Sequence, residues 1–82
     1  MEKNIKLVMQ STRDIDVYVN DEKRLSIFSN SRKINAEDIY AILDYHKGDS
    51  YLITSENEEG KDEKVIRFFC TLFEDITKKI TK

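Results

Sequence analysis

Three groups of residues in this 82-residue chain carry side chains able to do chemistry: His46, Cys70, and the carboxylates Glu56, Glu58, Glu59, Asp62 and Glu63. His46 is the only histidine. An imidazole titrates near neutrality, which suits it to general-base or phosphoryl-acceptor work. No Ser or Cys nucleophile can be placed beside it from sequence, and at the end of a helical pattern the helix dipole favours a cation, so His46 reads as a structural residue. Cys70, the only cysteine, excludes an intramolecular disulfide and a cysteine-based metal cluster. It falls mid-helix on the flank of an apolar face, where a thiol packs as a small hydrophobe. The five carboxylates lack the alternating ligand order and the distal bidentate Glu of a calcium-binding EF-hand loop, and read as a solvated acidic loop. The sequence therefore predicts no catalytic residue, no cofactor and no metal.

The elements that position these residues follow from periodicity. Ile5, Leu7 and Met9 alternate with Lys6, Val8 and Gln10, and Ile15, Val17 and Val19 alternate with Asp16 and Tyr18, the period of a half-buried strand. Leu25 and Ile27, opposite Ser26 and Phe28, make a third strand. Ser11-Thr12-Arg13 and Asn20-Asp21-Glu22-Lys23 are links short enough for antiparallel hairpins. From Asn35, a capping residue, the spacing of Ala36, Ile39, Ile42, Leu43 and His46 predicts a helix, with Glu37 and Asp38 in its first turn and Gly48 as its left-handed stop. Tyr51, Leu52 and Ile53, apolar in succession, predict a short strand covered on both faces or central in its sheet. Glu56 to Lys64 is polar throughout, with Asp62 as the cap of a last helix. In that helix Val65, Phe68, Phe69, Leu72, Phe73, Ile76 and Ile80 form one broad apolar side. The expected architecture is a single α+β domain over residues 1–82, an open-faced sandwich in the order β-β-β-α-β-α, with a four-stranded, mostly antiparallel sheet and both helices on one face.

Composition narrows the function classes. Hydrophobic residues make up 39% and charged residues 37%, with four Tyr and four Phe, a globular balance. A formal net charge of -2 with both signs interspersed gives no cationic stripe for nucleic acid. No apolar run reaches signal-peptide or membrane-spanning length, so a cytoplasmic location is expected. The lack of Pro and Trp, with much Lys, Ile, Asn and Glu, suits an AT-rich bacterial or phage genome. Strand alternation sends Val8, Tyr18 and Phe28 to the sheet face away from the helices, a candidate partner surface; Tyr40 and Tyr45, on the rim of the first helix, are further candidates. The expected function is a small non-enzymatic protein-binding or regulatory module of a bacterium or mobile element, monomeric or dimeric through the outer sheet face, without direct nucleic-acid or membrane binding. The alternative is a phage- or mobile-element-encoded inhibitor of a nucleic-acid enzyme whose acidic residues stand in for phosphates. A third reading is a phosphocarrier-type protein using His46.

That third reading comes from a resemblance. The run Gly48 to Ser55, then Gly60-Lys61-Asp62-Glu63, then the helix through Leu72 and Phe73 resembles the end of HPr, the histidine-containing phosphocarrier of the bacterial sugar phosphotransferase system. The hairpin from Asp14 to Phe28 and the helix from Asn35 resemble the middle of that fold, so the likeness covers roughly residues 14–80. It implies an HPr-like open-faced sandwich. Where the family has a helix presenting its acceptor histidine after the first strand, this chain has only Ser11-Thr12-Arg13. Where the family has its regulatory serine, it has Asn35-Ala36, with Ser29 and Ser31 nearby. The resemblance implies architecture and carries over neither phosphorylation role.

Overall fold

In a computed structural model, which describes residues 1–10, 14–28, 35–57 and 63–81, the chain is an α+β domain. Its elements are β1 (Glu2–Met9), β2 (Asp14–Val19), β3 (Glu22–Phe28), α1 (Ala36–Leu43), β4 (Ser50–Asn57) and α2 (Glu63–Ile80). The sheet is open, with strand order β3-β2-β1-β4. β1 pairs antiparallel with β2, and β2 with β3, whereas β1 and β4 are parallel. The sheet is therefore mixed, and α1 is the crossover from one edge strand to the other.

The alternation seen in the sequence decides which face is buried. Ile5, Leu7 and Met9 stand in register with Val19, Val17 and Ile15, and Ile15 and Val17 with Ile27 and Leu25, so one face of three strands is continuously apolar. Ile39, Ile42 and Leu43 of α1 and Ile66, Phe69, Phe73 and Ile76 of α2 join those side chains in a single core cluster. Both helices thus cover the same face. β2 and β3 are joined by the two-residue turn Asn20-Asp21, with φ of 50° and 67°. Positive φ at both positions matches the right-handed strand twist, and Asn and Asp tolerate it better than other non-glycine residues. Asn20 also anchors the hairpin to β1, because its Oδ1 accepts from the Asn4 N–H at 2.9 Å.

Four expectations change. β4 is neither central nor covered on both faces: it is an eight-residue edge strand, with Leu52 48% exposed on the face away from the helices. Its successive apolar residues reflect two unlike surroundings, the core for Tyr51 and Ile53 and solvent for Leu52. Second, α1 ends at Leu43, so Tyr45 and His46 lie outside it, and Ala36 is exposed. Third, the inward seam of α2 runs Ile66, Phe69, Phe73, Ile76 and Thr77, with Phe68 52% exposed on its flank. Fourth, Glu56 and Asn57 belong to β4 and Glu63 to α2. The proposed links and caps at Ser11-Thr12-Arg13 and Asp62 lie outside the described residues.

Asn35 caps α1 as expected, its Oδ1 accepting from the Glu37 N–H at 3.0 Å. The left-handed stop is Asp44, with φ 44° and ψ 57°, whose N–H donates to the Tyr40 carbonyl at 3.1 Å. Gly48, φ 96°, belongs instead to the turn into β4. A left-handed conformation strains a residue with a Cβ. Asp44→Gly is therefore expected to raise the unfolding free energy by about 0.5–1 kcal/mol, readable as a higher Tm.

Candidate functional site

The outer sheet face, the first surface suggested by the alternation, is a polar mesh. Val8, Tyr18 and Leu52 occupy register positions on this face. Lys6 spans it: its Nζ lies 5.6 Å from the centre of the Tyr18 ring and 3.8 Å from a Glu56 oxygen. Asp16 accepts from Ser26 Oγ at 2.8 Å and sits 3.9 Å from Lys23 Nζ. Val8, between Asp16 and Glu56 in register, is 4% exposed although it stands outside the core cluster. It offers a partner almost no surface, because a β-branched side chain on a central strand is overlain by its longer neighbours. Tyr18 is half-buried. Phe28 pairs with Asp14 at the end of β3, and its side chain lies outside the description.

The second surface is better built. Lys3 occupies an inward position of β1, in line with Ile5 and Leu7, and its ammonium emerges under the end of α1. There it donates to the Leu43 carbonyl at 3.2 Å and the Asp44 carbonyl at 2.6 Å. These are carbonyls that a helix C-terminus leaves without an internal partner, and a cation is the favoured group at that end of the dipole. Tyr51 Oη donates to the same Leu43 carbonyl at 2.9 Å. Asp49 closes the arrangement, 3.0 Å from Lys3 Nζ and accepting from the His46 backbone N–H at 2.9 Å. That N–H first, then Lys3, hold the Asp49 carboxyl below the usual aspartate range; the small opposing effect of desolvation does not overcome them. Burial first, and the nearby Asp49 charge second, push the Tyr51 hydroxyl up to about 12.

Around this polar knot stand the exposed aromatics. Tyr40 is 47% and Tyr45 37% exposed, and the Tyr45 ring leans on Tyr51 at 6.4 Å between centroids. The backbone under both is fixed by the end of α1 and by the Lys3 contacts. No family model, curated protein or solved structure matches this chain. The function must be argued from these surfaces.

The residues suited to chemistry are not brought together. The His46 side chain is 72% exposed, its Nδ1 3.0 Å from the Asp44 carbonyl and 3.9 Å from Asp49. Asp49, which faces it, is already engaged by Lys3. Cys70 is half-buried on α2 beside Ser55, and burial pushes its thiol up, away from the thiolate that a nucleophile needs. Of the five carboxylates, Glu56 lies near Lys6 and Glu63 is 3.9 Å from Arg67, one helical turn on. Glu58, Glu59 and Asp62 lie outside the described residues. Among the described residues no cluster of His, Cys, Asp or Glu has the arrangement of a metal site, and no helix is long and apolar enough to cross a membrane.

Periodicity missed Lys3 and Asp49 and gave Leu52 and Phe68 buried surroundings that they lack. Lys3 had a signal: a lysine on the inward side of the Ile5-Leu7-Met9 alternation needs a polar group to reach, and a helix end supplies one. Phe68 had none, since its place on the α2 wheel depends on which of two adjacent phenylalanines meets the sheet.

Proposed function

We propose that this chain is a small protein-binding module that acts without catalysis, and that its contact surface is the tyrosine corner at the end of α1. One observation carries this reading: Tyr40 and Tyr45 are exposed on a backbone held in place by Lys3, Asp49 and Tyr51. Tyrosine is favoured at protein interfaces because a rigid ring with a polar tip adds contact area at little entropic cost. A surface already ordered in the free protein loses less on binding. A bacterial or mobile-element setting and a cytoplasmic location belong to the same proposal, on the grounds of composition. We treat the likeness to HPr proteins as one of architecture, and it lends this reading no phosphate chemistry.

The test begins with affinity purification from cells of the organism that encodes the protein. A partner captured by the wild-type chain is then titrated against Tyr40→Ser/Tyr45→Ser and, separately, Tyr18→Ser. The double variant is expected to weaken binding by about tenfold or more, the equivalent of 1.4 kcal/mol, while Tyr18→Ser leaves the affinity within a factor of about two. A double variant that keeps the wild-type circular dichroism spectrum and the wild-type affinity would remove the tyrosine corner from the proposal.

A further inference from the structure

The two edges of the sheet are treated differently. At one edge β3 carries Glu22, Lys23 and Arg24 in succession, and a bulge at Arg24 shifts its pairing with β2, so that Val17 meets Leu25 while Tyr18 meets Lys23. Charge and bulges are the usual means by which a strand is kept from pairing with another chain. At the other edge β4 has no bulge, and its one charged residue, Glu56, stands near its end. Ser50-Tyr51-Leu52-Ile53-Thr54-Ser55 is uncharged and without proline, and its pairing with β1 runs unbroken from Ser50 to Asn57. Because the Ser50 N–H points inward to the Met1 carbonyl, strand alternation turns the backbone N–H and C=O of Tyr51, Ile53 and Ser55 to the open side. Leu52, 48% exposed, stands beside them on the outer face.

The flank of α2 above this edge has a charge order that reads the same from both ends. Glu74, Lys78 and Thr81 border the groove along Ser50–Ile53, and Glu63 and Arg67 the groove along Ser55 and Asn57. The exposed charges along the flank therefore run Glu63, Arg67, Glu74, Lys78. Turned about a point between Cys70 and Thr71, this series sets Arg67 against Glu74 and Glu63 against Lys78. Cys70 and Ser55 line the same groove, so that point lies over the Thr54–Ser55 part of β4.

From these two features we infer that the chain forms a homodimer in which β4 pairs antiparallel with β4 of a second copy, about a two-fold axis close to Thr54. The pairing joins two four-stranded sheets into one of eight strands and satisfies the open N–H and C=O groups. It places the two α2 helices side by side on the same face, Arg67 of each copy against Glu74 of the other. It also sets Leu52 opposite Glu56 of the second copy, with Thr54 of that copy its diagonal neighbour on the outer face. This inference stands independently of the tyrosine corner and differs from a dimer through the outer sheet face.

Light scattering coupled to size exclusion, with the full chain loaded from about 1 μM to about 1 mM, is expected to show the mass rising from 9.7 kDa to twice that value. Thr54→Lys sets two ammonium groups face to face across the axis and is expected to abolish the dimer without changing the circular dichroism spectrum. Arg67→Glu is expected to weaken it at least tenfold, and Arg67→Glu/Glu74→Arg to restore it. That exchange leaves the strand untouched and so decides the matter even where Thr54→Lys destabilises the fold. A mass of one chain throughout, or a dimer indifferent to both Thr54→Lys and the single charge reversal, would overturn the inference.

Discussion

Phe69→Ala is expected to cost about 3–5 kcal/mol of unfolding free energy, and Phe68→Ala less than about 1 kcal/mol, although the two residues are adjacent and identical in type. Phe69 has no exposed surface and lies in the cluster joining α2 to β1 and β2. Phe68 is 52% exposed and meets Phe69 edge to face, with ring centroids 5.2 Å apart. Truncating the first leaves a cavity that the sheet, a rigid surface, cannot fill. Truncating the second removes one aromatic contact and half a ring's burial. At roughly 0.05–0.15 kcal/mol per residue, a domain of this size holds only several kcal/mol in all, so Phe69→Ala removes much of its stability. Urea titration of the two variants, with midpoint and slope both recorded, checks the prediction. Equal losses would mean that both rings are buried, as the sequence pattern alone suggested.

That pair of residues shows where sequence reasoning stops. Alternation in β1, β2 and β3 was legible because one face meets a core and the other solvent, and a shift of one residue would reverse every side chain. The order of the elements and the class of fold follow from it. The edge position of β4 was not legible, since a strand with apolar residues on both faces is described equally well by a central place and by an edge with one exposed leucine. The stop of α1 was misplaced by a similar ambiguity. Gly48 is the stronger left-handed former by composition, but Lys3, 40 and 41 residues away, holds the Leu43 and Asp44 carbonyls. An arrangement made by a distant side chain leaves no trace in local propensity. Tyr40 on α1 and Tyr45 just beyond its end were legible as candidates because they fall off the apolar stripe. Their support was not, because it comes from β1 and from the turn into β4.

The support itself yields the second large effect. Lys3→Met keeps the length of the side chain and removes its charge, so it separates packing from electrostatics. It should leave the Asp44 carbonyl without its side-chain donor and the Leu43 carbonyl with Tyr51 alone, and take from Asp49, whose side chain is 8% exposed, the nearer of its two cations, the Met1 ammonium at 3.7 Å being the other. Removing one member of such a pair strands the other, which costs more than the pair contributed when intact. We expect a Tm loss of several degrees, larger than for Lys6→Met, because Lys6 is more exposed and spans surface groups only. Acid should reproduce part of the effect in the wild-type protein. The folded-state pKa of Asp49 lies below its unfolded value, so its contribution is fully present above the unfolded pKa, about 3.9, and is lost as the pH falls through the folded value. In Asp49→Asn the fall in stability below about pH 4 should therefore be shallower than in wild type. Thermal melts from neutral pH down to about pH 2 measure both slopes. Parallel curves for wild type and Asp49→Asn would show that the carboxylate does not hold the corner. The tyrosines would then need another source of rigidity.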